Sequence, residues 1–117
     1  MTGIAGAGLD QMLAALADPV RRRTVELLHA RPRRAGDLAR ELRVSPSRMS
    51  QHLRMLRRSG MIEDDGLEED ARVKLYRLKR QPFAALRSWL DEVERFWTLE
   101  LAAFKAHAER RGSRRER

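Results

Sequence analysis

A long helical pattern near the C-terminus constrains the fold of this 117-residue chain most strongly. Apolar residues recur there at intervals of four, three, four, four, three and four: Leu86, Leu90, Val93, Trp97, Leu101, Phe104 and Ala108. The periodicity predicts one helix over 82–110, about 40 Å long at ~1.5 Å per residue. One small domain cannot cover a helix of this length. Its apolar side therefore predicts a partner helix, most simply from a second copy of the chain.

Two shorter helices are predicted near the N-terminus. The first spans 9–17 and is indicated by apolar residues at helical spacing: Leu9, Met12, Leu13 and Leu16. The second spans 19–30, because Asp18 is a favoured N-cap residue and Pro19 suits the first position of a helix.

The middle of the chain carries the pattern of a helix-turn-helix. A third helix over 36–42 is followed by the turn Arg43-Val44 and by Ser45, which is a strong N-cap residue. The fourth helix runs to about Arg58 and is stopped by Gly60. Two helices joined by a turn of three or four residues predict a helix-turn-helix.

A β-hairpin is predicted after the fourth helix. Two short apolar segments, 61–62 and 73–78, flank a loop over 63–72 that contains the turn dipeptide Asp65-Gly66. The predicted fold is therefore mainly α with a small β-hairpin wing, in the order α-α-α-α-β-β-α.

One domain accounts for most of the chain. A flexible N-terminal segment is predicted over 1–8, a single domain over 9–110, and a basic, disordered tail over 111–117.

Positive charge is concentrated in the middle of the sequence. The chain has 25 Lys and Arg residues against 17 Asp and Glu, for a net charge of +8. Residues 19–60 hold twelve Arg and three acids, and 42–62 hold no acid at all. Such a segment predicts an anion-binding surface, and an ordinary solvated, Arg-rich surface is the alternative.

The fourth helix has an exposed side suited to DNA. Its apolar stripe of Met49, Leu53 and Leu56 leaves short hydroxyls, an amide and guanidinium groups opposite, which suit base edges and phosphates. His52 lies on the border of the apolar stripe, as a packing or phosphate-contact residue. The predicted DNA-contacting residues are Ser45, Ser47, Arg48, Ser50, Gln51, His52, Arg54 and Arg58 of this region, with Arg72 and Lys74 at the base of the wing.

Several function classes are excluded by the composition. There is no cysteine, which removes disulfides, thiolate zinc sites and cysteine nucleophiles. The sequence shows no nucleophile–base pair, no paired carboxylates and no phosphate-binding glycine loop, so no enzyme activity and no cofactor are predicted. Its apolar stretches are too short to cross a bilayer and the N-terminus lacks a signal sequence, so we expect a cytoplasmic protein with no membrane partner.

At the level of motifs, the chain resembles the ArsR-type winged helix-turn-helix repressors of bacteria. The residues that carry the resemblance are Ala15 to Arg23, Asp37-Leu38-Ala39, Ser45 to Leu56, Gly60-Met61-Ile62 and Tyr76-Arg77-Leu78. The resemblance implies a homodimer with the first and last helices at its interface, the fourth helix in the major groove and the wing alongside. The implied interface residues are Leu9, Met12, Leu13, Leu16, Leu86, Trp89, Leu90, Val93, Trp97, Leu101 and Phe104.

Two departures from that family pattern are evident. The cysteine metal sites of many relatives are impossible here, and the zinc pattern of others falls on Glu94, Phe96, His107 and Arg110, of which only two could ligate. No metal site is therefore predicted. The wing carries six acids over 63–70 where relatives usually carry Arg and Lys, so we expect its tip to stay away from the phosphates.

The sequence thus predicts a sequence-specific transcriptional repressor that binds double-stranded DNA as a homodimer on an inverted repeat. A winged-helix module for protein or RNA binding is the alternative. A small-molecule effector is possible, and Trp89, Phe96 and Trp97 line either a pocket for it or the dimer core.

Overall fold

Five helices and three short strands make up the computed structural model, which describes residues 6–66 and 73–115. The elements are α1 (Gly6–Ala15), α2 (Pro19–Ala30), β1 (Arg33–Arg34), α3 (Ala35–Leu42), α4 (Pro46–Arg58), β2 (Ile62–Asp64), β3 (Leu75–Leu78) and α5 (Arg80–Arg115). The prediction of a mainly helical fold with a small wing is confirmed. No helix in these two stretches combines the length and the apolarity of a membrane span.

Local sequence signals set the starts of α2 and α4. The Asp18 carboxylate accepts hydrogen bonds from the backbone N–H of Val20 at 2.8 Å and of Arg21 at 3.1 Å. The Ser45 hydroxyl accepts one from the N–H of Arg48 at 3.2 Å. Each cap is followed by a proline in the first turn, where the missing N–H costs nothing. Both predicted caps are confirmed.

The turn between α3 and α4 is made by an unusual backbone conformation. Arg43 ends α3 at φ 57° and ψ 44°, in the left-handed region that glycine normally occupies at this position. The N–H of Val44 donates to the carbonyl of Ala39 at 3.0 Å, which closes the end of α3. This tight connection brings Ser45 and the start of α4 directly out of α3.

The sheet has one strand more than the predicted hairpin. Its strand order is β1-β3-β2, and both pairs are antiparallel. Arg33 pairs with Tyr76 along β1, and Ile62 pairs with Leu78 along β2. β1 has only two residues and no alternation of apolar side chains, so its strand character comes from backbone pairing with β3 rather than from its own sequence. The predicted strands also shift, since β2 includes two acids and β3 begins at Leu75.

Both terminal helices extend beyond their predicted bounds. α1 begins at Gly6, inside the segment predicted to be flexible, and α5 continues to Arg115, inside the predicted tail. Adding residues to an existing helix costs little, because each one gains a backbone hydrogen bond without a new nucleus. Most of the acidic wing segment, 67–72, lies outside the described residues, and with it the predicted contact of Arg72.

One apolar core joins the helices to the sheet. Leu38, Met49, Leu53 and Leu56 from α3 and α4 are fully buried together with Met61 next to β2. α1 covers one side of this core, and Leu28 of α2 and Leu86 of α5 complete it. Most of α5 extends past this core. The described part of the chain therefore spans 75 Å in its longest direction.

Candidate nucleic-acid interface

The side of α4 that faces away from the core is the candidate interface. Because Met49, Leu53 and Leu56 are buried, the residues between them are turned to solvent. The exposed predicted contacts are Ser45, Ser47, Arg48, Gln51, Arg54 and Arg58, whereas Ser50 and His52 are half-buried. We call the six exposed residues the α4 face. Ser47, Gln51, Arg54 and Arg58 share one side of α4, Arg48 flanks that side, and Ser45 is the residue that caps the helix.

The electrostatics of the α4 face favour an anion. The first turn of α4 contains no acidic side chain, and Arg57 and Arg58 occupy its last turn. The helix begins on this surface, so its free N–H groups and positive dipole end lie beside Ser47 and Arg48. In the described parts of the chain, Arg48, Arg54 and Arg58 make no ion pair with a carboxylate. Their guanidinium groups are available to a ligand.

A guanidinium from α2 holds the half-buried His52. Arg21 Nη1 lies 3.2 Å from His52 Nδ1, and Arg21 also donates to the carbonyls of Ala15 at 2.6 Å and Ala14 at 3.2 Å. A guanidinium can only donate, so Nδ1 must accept and the proton of the neutral ring lies on Nε2. Sequence analysis found the border position of His52 but missed this contact with Arg21.

Burial and neighbouring charge keep His52 neutral. Burial lowers the pKa of His52, and the positive charges of Arg21 and Arg48 lower it further, while Asp18 opposes them. Burial acts in the opposite direction on the carboxyl group of Asp18. Its burial raises the pKa, but the N–H groups of Arg21 and Val20 and the nearby positive charges outweigh burial, and the net shift is downward. The start of α2 is therefore an ionised carboxylate beside a neutral imidazole.

One ion pair attaches the wing to the end of α4, and a second joins the two strands of the wing. Arg57 Nη1 lies 3.0 Å from Asp64 Oδ2, and the Asp64 side chain is only 6% exposed. Arg77 Nε donates to Glu63 at 2.9 Å across β2 and β3. The carboxylates of Glu63 and Asp64 are thus paired with arginines of the protein. Lys74, the other predicted contact of the wing, is half-buried at the base of the hairpin.

The predicted dimer contacts separate into three groups by exposure. Leu9, Met12 and Leu86 are buried in the core of the single chain, and Leu16, Trp89 and Val93 are half-buried. The remaining five are exposed: Leu13, Leu90, Trp97, Leu101 and Phe104. The buried group stabilises the protomer itself, and the exposed group leaves an apolar surface without cover in one chain.

A second apolar stripe on α5 was only partly recognised from the sequence. Phe96 is 59% exposed and Leu99 is 65% exposed; Leu99 lies nearly opposite Trp97 around the helix, and Phe96 lies between them. The rings of Phe96 and Trp97 meet edge to face, with centroids 6.2 Å apart. The signal that could have revealed Leu99 is its three-residue spacing from Phe96.

Metal-ligating side chains do not cluster in the part of the chain that the structure describes. Across 6–66 and 73–115, no three His, Asp or Glu side chains converge on a common point. The α4 face is accordingly a surface of hydroxyl, amide and guanidinium groups, whose chemistry is that of hydrogen bonding and charge.

Comparisons with known proteins relate this chain to bacterial transcriptional regulators. The model of a family described as "Bacterial regulatory protein, arsR family" matches residues 18–64, which include all of α4. The HTH-type transcriptional regulator Rv2034 of Mycobacterium tuberculosis is 39% identical over 95 residues, which cover 81% of this chain and 83% of that protein.

Solved structures show the same similarity. The ArsR-like transcriptional regulator from Rhodococcus sp. RHA1 has a TM-score of 0.70 at 27% identity, over 85% of this chain and 91% of its own. A possible transcriptional regulator for arsenical resistance has a TM-score of 0.60 at 38% identity, over 72% of this chain and 83% of its own.

Proposed function

The chain belongs to the ArsR family of bacterial regulatory proteins and is a DNA-binding transcriptional regulator; on this basis we propose that it is a homodimeric repressor that binds an inverted-repeat operator. The observation that carries the proposal is the α4 face, an acid-free surface opposite a fully buried stripe of the same helix. The exposed apolar stripe of α5 supplies the surface for the second copy.

Each part of the α4 face has a chemical role in this proposal. Gln51 and Arg54 lie mid-helix with side chains that can make paired hydrogen bonds, Gln51 to adenine and Arg54 to guanine. Ser45, Ser47 and Arg48 surround the helix N-terminus, where hydroxyls, free N–H groups and a cation bind phosphate.

The dimer follows from the exposed part of α5. Trp97 is 59% exposed, Leu101 62% and Phe104 72%, and together they form a larger apolar stripe than a soluble protomer normally leaves uncovered. Packing two copies along this stripe is an isologous contact that relates the two α4 faces by a two-fold axis. A two-fold protein matches an operator with inverted half-sites about 10 bp apart, or a multiple of that distance.

DNA recognition is tested by comparing alanine substitutions of two exposed arginines, one on the α4 face and one on α5. Bound sequences are first selected from a random duplex library, and their affinity is then measured by fluorescence anisotropy. Arg54→Ala should weaken binding to the selected site by about 1–3 kcal/mol. Arg87→Ala removes the same charge from the exposed surface of α5 and should leave that affinity nearly unchanged. Equal losses in both variants would mean that net charge, and not the α4 face, binds the duplex.

Dimerisation is tested by one charge placed on α5. Leu101→Glu puts a carboxylate in the exposed apolar stripe, and analytical ultracentrifugation should show a monomer with weak operator binding. Ser88→Glu adds the same charge on the opposite side of α5 and should remain a dimer. A reporter gene behind the selected operator tests the sign of regulation, because a repressor lowers its expression and Leu101→Glu restores it. A wild-type protein that is monomeric at micromolar concentration would refute the dimer.

A further inference from the structure

A second concave site lies away from the α4 face. A groove of about 810 Å³ opens between the last turns of α2, the end of β3 and the first turn of α5. We call it the α2–α5 groove. Its size is within the ~300–1,000 Å³ that small-molecule sites occupy. None of its lining residues belongs to α4.

The floor of the α2–α5 groove is apolar. Val25 and Leu28 contribute from α2, Leu78 from β3 and Phe83 from α5. Leu28 is buried, but Val25, Leu78 and Phe83 are only half-buried, because their groove side is not covered by the described parts of the chain. An aliphatic or aromatic group placed here would remove this apolar surface from water, which favours binding.

The rim of the same groove is cationic. Arg31, Lys79 and Arg80 are exposed around it, and within residues 6–66 and 73–115 none of the three forms an ion pair. Glu26 is the single acid among its lining residues. Arg77 also lines the groove but is paired with Glu63, so Arg31, Lys79 and Arg80 supply the charge of the rim.

Backbone geometry strengthens the positive end of the groove. α5 begins at Arg80 with no acidic residue in its first turn, so its N-terminal N–H groups add positive potential beside the two basic side chains. The N–H of Lys79 donates to the carbonyl of Met61 at 2.9 Å, which fixes this corner against the core. The ammonium and guanidinium groups thus extend from a backbone position that is held in place.

We propose that the α2–α5 groove binds an amphipathic organic carboxylate, with its apolar tail on the floor and its carboxylate between Lys79 and Arg80. The apolar floor favours such a ligand over a DNA phosphate or an inorganic anion, neither of which has an apolar part to cover Val25 and Phe83. The cationic rim favours it over a neutral hydrocarbon, because charge-assisted hydrogen bonds to a carboxylate are among the stronger polar contacts.

The test compares two ligands of the same chain length by isothermal titration calorimetry with the full chain. Octanoate should bind once per protomer and about tenfold more tightly than octan-1-ol, which lacks the charge. The double variant Lys79→Gln/Arg80→Gln should bind octanoate as weakly as it binds the alcohol. Arg87→Gln/Arg95→Gln removes equal charge from exposed positions of α5 outside the groove and should keep the tenfold preference.

A second measurement locates the ligand. Octanoate should shift the methyl NMR signals of Val25 and Leu78 and leave those of Leu101, on the far part of α5, in place. Equal affinity for acid and alcohol, no binding of either, equal loss in the control variant, or shifts confined to Leu101 would each overturn the proposal. The site goes beyond the proposed function, and these titrations contain no DNA, so their failure would leave operator binding to be judged separately.

Discussion

Replacing Arg21 with alanine tests how α1 is joined to the helices beneath it. The guanidinium of Arg21 donates to the carbonyls of Ala15 at 2.6 Å and Ala14 at 3.2 Å, and it contacts Nδ1 of His52 at 3.2 Å. One hydrogen bond typically contributes about 0.5–1.5 kcal/mol, and more when the donor is charged. Arg21 is half-buried, so water replaces part of this loss. We expect Arg21→Ala to lower the free energy of unfolding by about 2 kcal/mol.

The next two residues provide controls of the same type. Arg22 is exposed and makes one hydrogen bond, to the carbonyl of Leu16 at 2.8 Å. Arg23 is exposed and makes no side-chain hydrogen bond within the described chain. Arg22→Ala should therefore cost about 0.5–1 kcal/mol, and Arg23→Ala should stay within ~0.5 kcal/mol of the parent protein. All three changes remove one positive charge from α2 and have the same effect on helix propensity.

Urea denaturation followed by circular dichroism measures the series directly. The urea concentration at the midpoint of unfolding should be highest for Arg23→Ala, lower for Arg22→Ala and lowest for Arg21→Ala. The slope of the free energy against urea concentration should stay constant. In thermal unfolding, Arg21→Ala should lower Tm by about 10 °C. Equal destabilisation by all three variants would show that charge or propensity decides, and the reasoning from individual hydrogen bonds would be wrong.

Two further changes test the electrostatics of the structure. Folding lowers the pKa of His52, so the unfolded chain binds a proton at a higher pH than the folded chain does. The free energy of unfolding should therefore decrease as the pH falls below about 6.5 towards the folded-state pKa. His52→Gln should flatten that part of a pH–stability curve. Asp64→Asn breaks the contact of a nearly buried carboxylate with Arg57, and it should lower the free energy of unfolding in urea by about 1–2 kcal/mol. Glu63→Gln changes an exposed pair with Arg77 and should lower it by less than ~0.5 kcal/mol. A similar cost for both substitutions would contradict the role assigned to burial.

The starts of α2 and α4 and the buried side of α4 were predictable because their signals are local. Asp18 and Ser45 lie directly before prolines, and each makes its capping bonds within three residues. The buried stripe of α4 follows from helical angle alone, since Met49, Leu53 and Leu56 recur at the spacing of one helix side. These features depend on neighbours in the sequence, and the structure reproduces them.

The missed features depend on contacts between distant parts of the chain. β1 is a strand because Arg33 and Arg34 pair with Tyr76 and Leu75, some forty residues later, and nothing in an Arg-Arg pair indicates a strand. The contact of Arg21 with His52 likewise joins residues 31 positions apart. Helical periodicity places His52 at the border of the core, but it cannot say which side chain of another helix will meet it there.

Periodicity also failed to separate core from exposed surface on α1. Leu9, Met12 and Leu13 share one apolar pattern, yet the first two are buried within the chain and Leu13 is 42% exposed. The pattern reports only that a side of the helix is apolar, and packing against α4 decides how much of that side is used. The same limit applies to α5, where Leu86 joins the core and Leu101 does not.

These contacts place Arg21 between the two surfaces that the proposed function uses. Its guanidinium binds the carbonyls that end α1, directly after the exposed Leu13, and it also contacts His52 on the helix that carries the α4 face. Arg21 thus joins the end of α1 to His52 through one planar donor group, since the carbonyls of Ala14 and Ala15 and the imidazole all contact its guanidinium. The same guanidinium fixes Nδ1 of the neutral imidazole as an acceptor, which leaves Nε2–H as the donor that His52 offers to its surroundings.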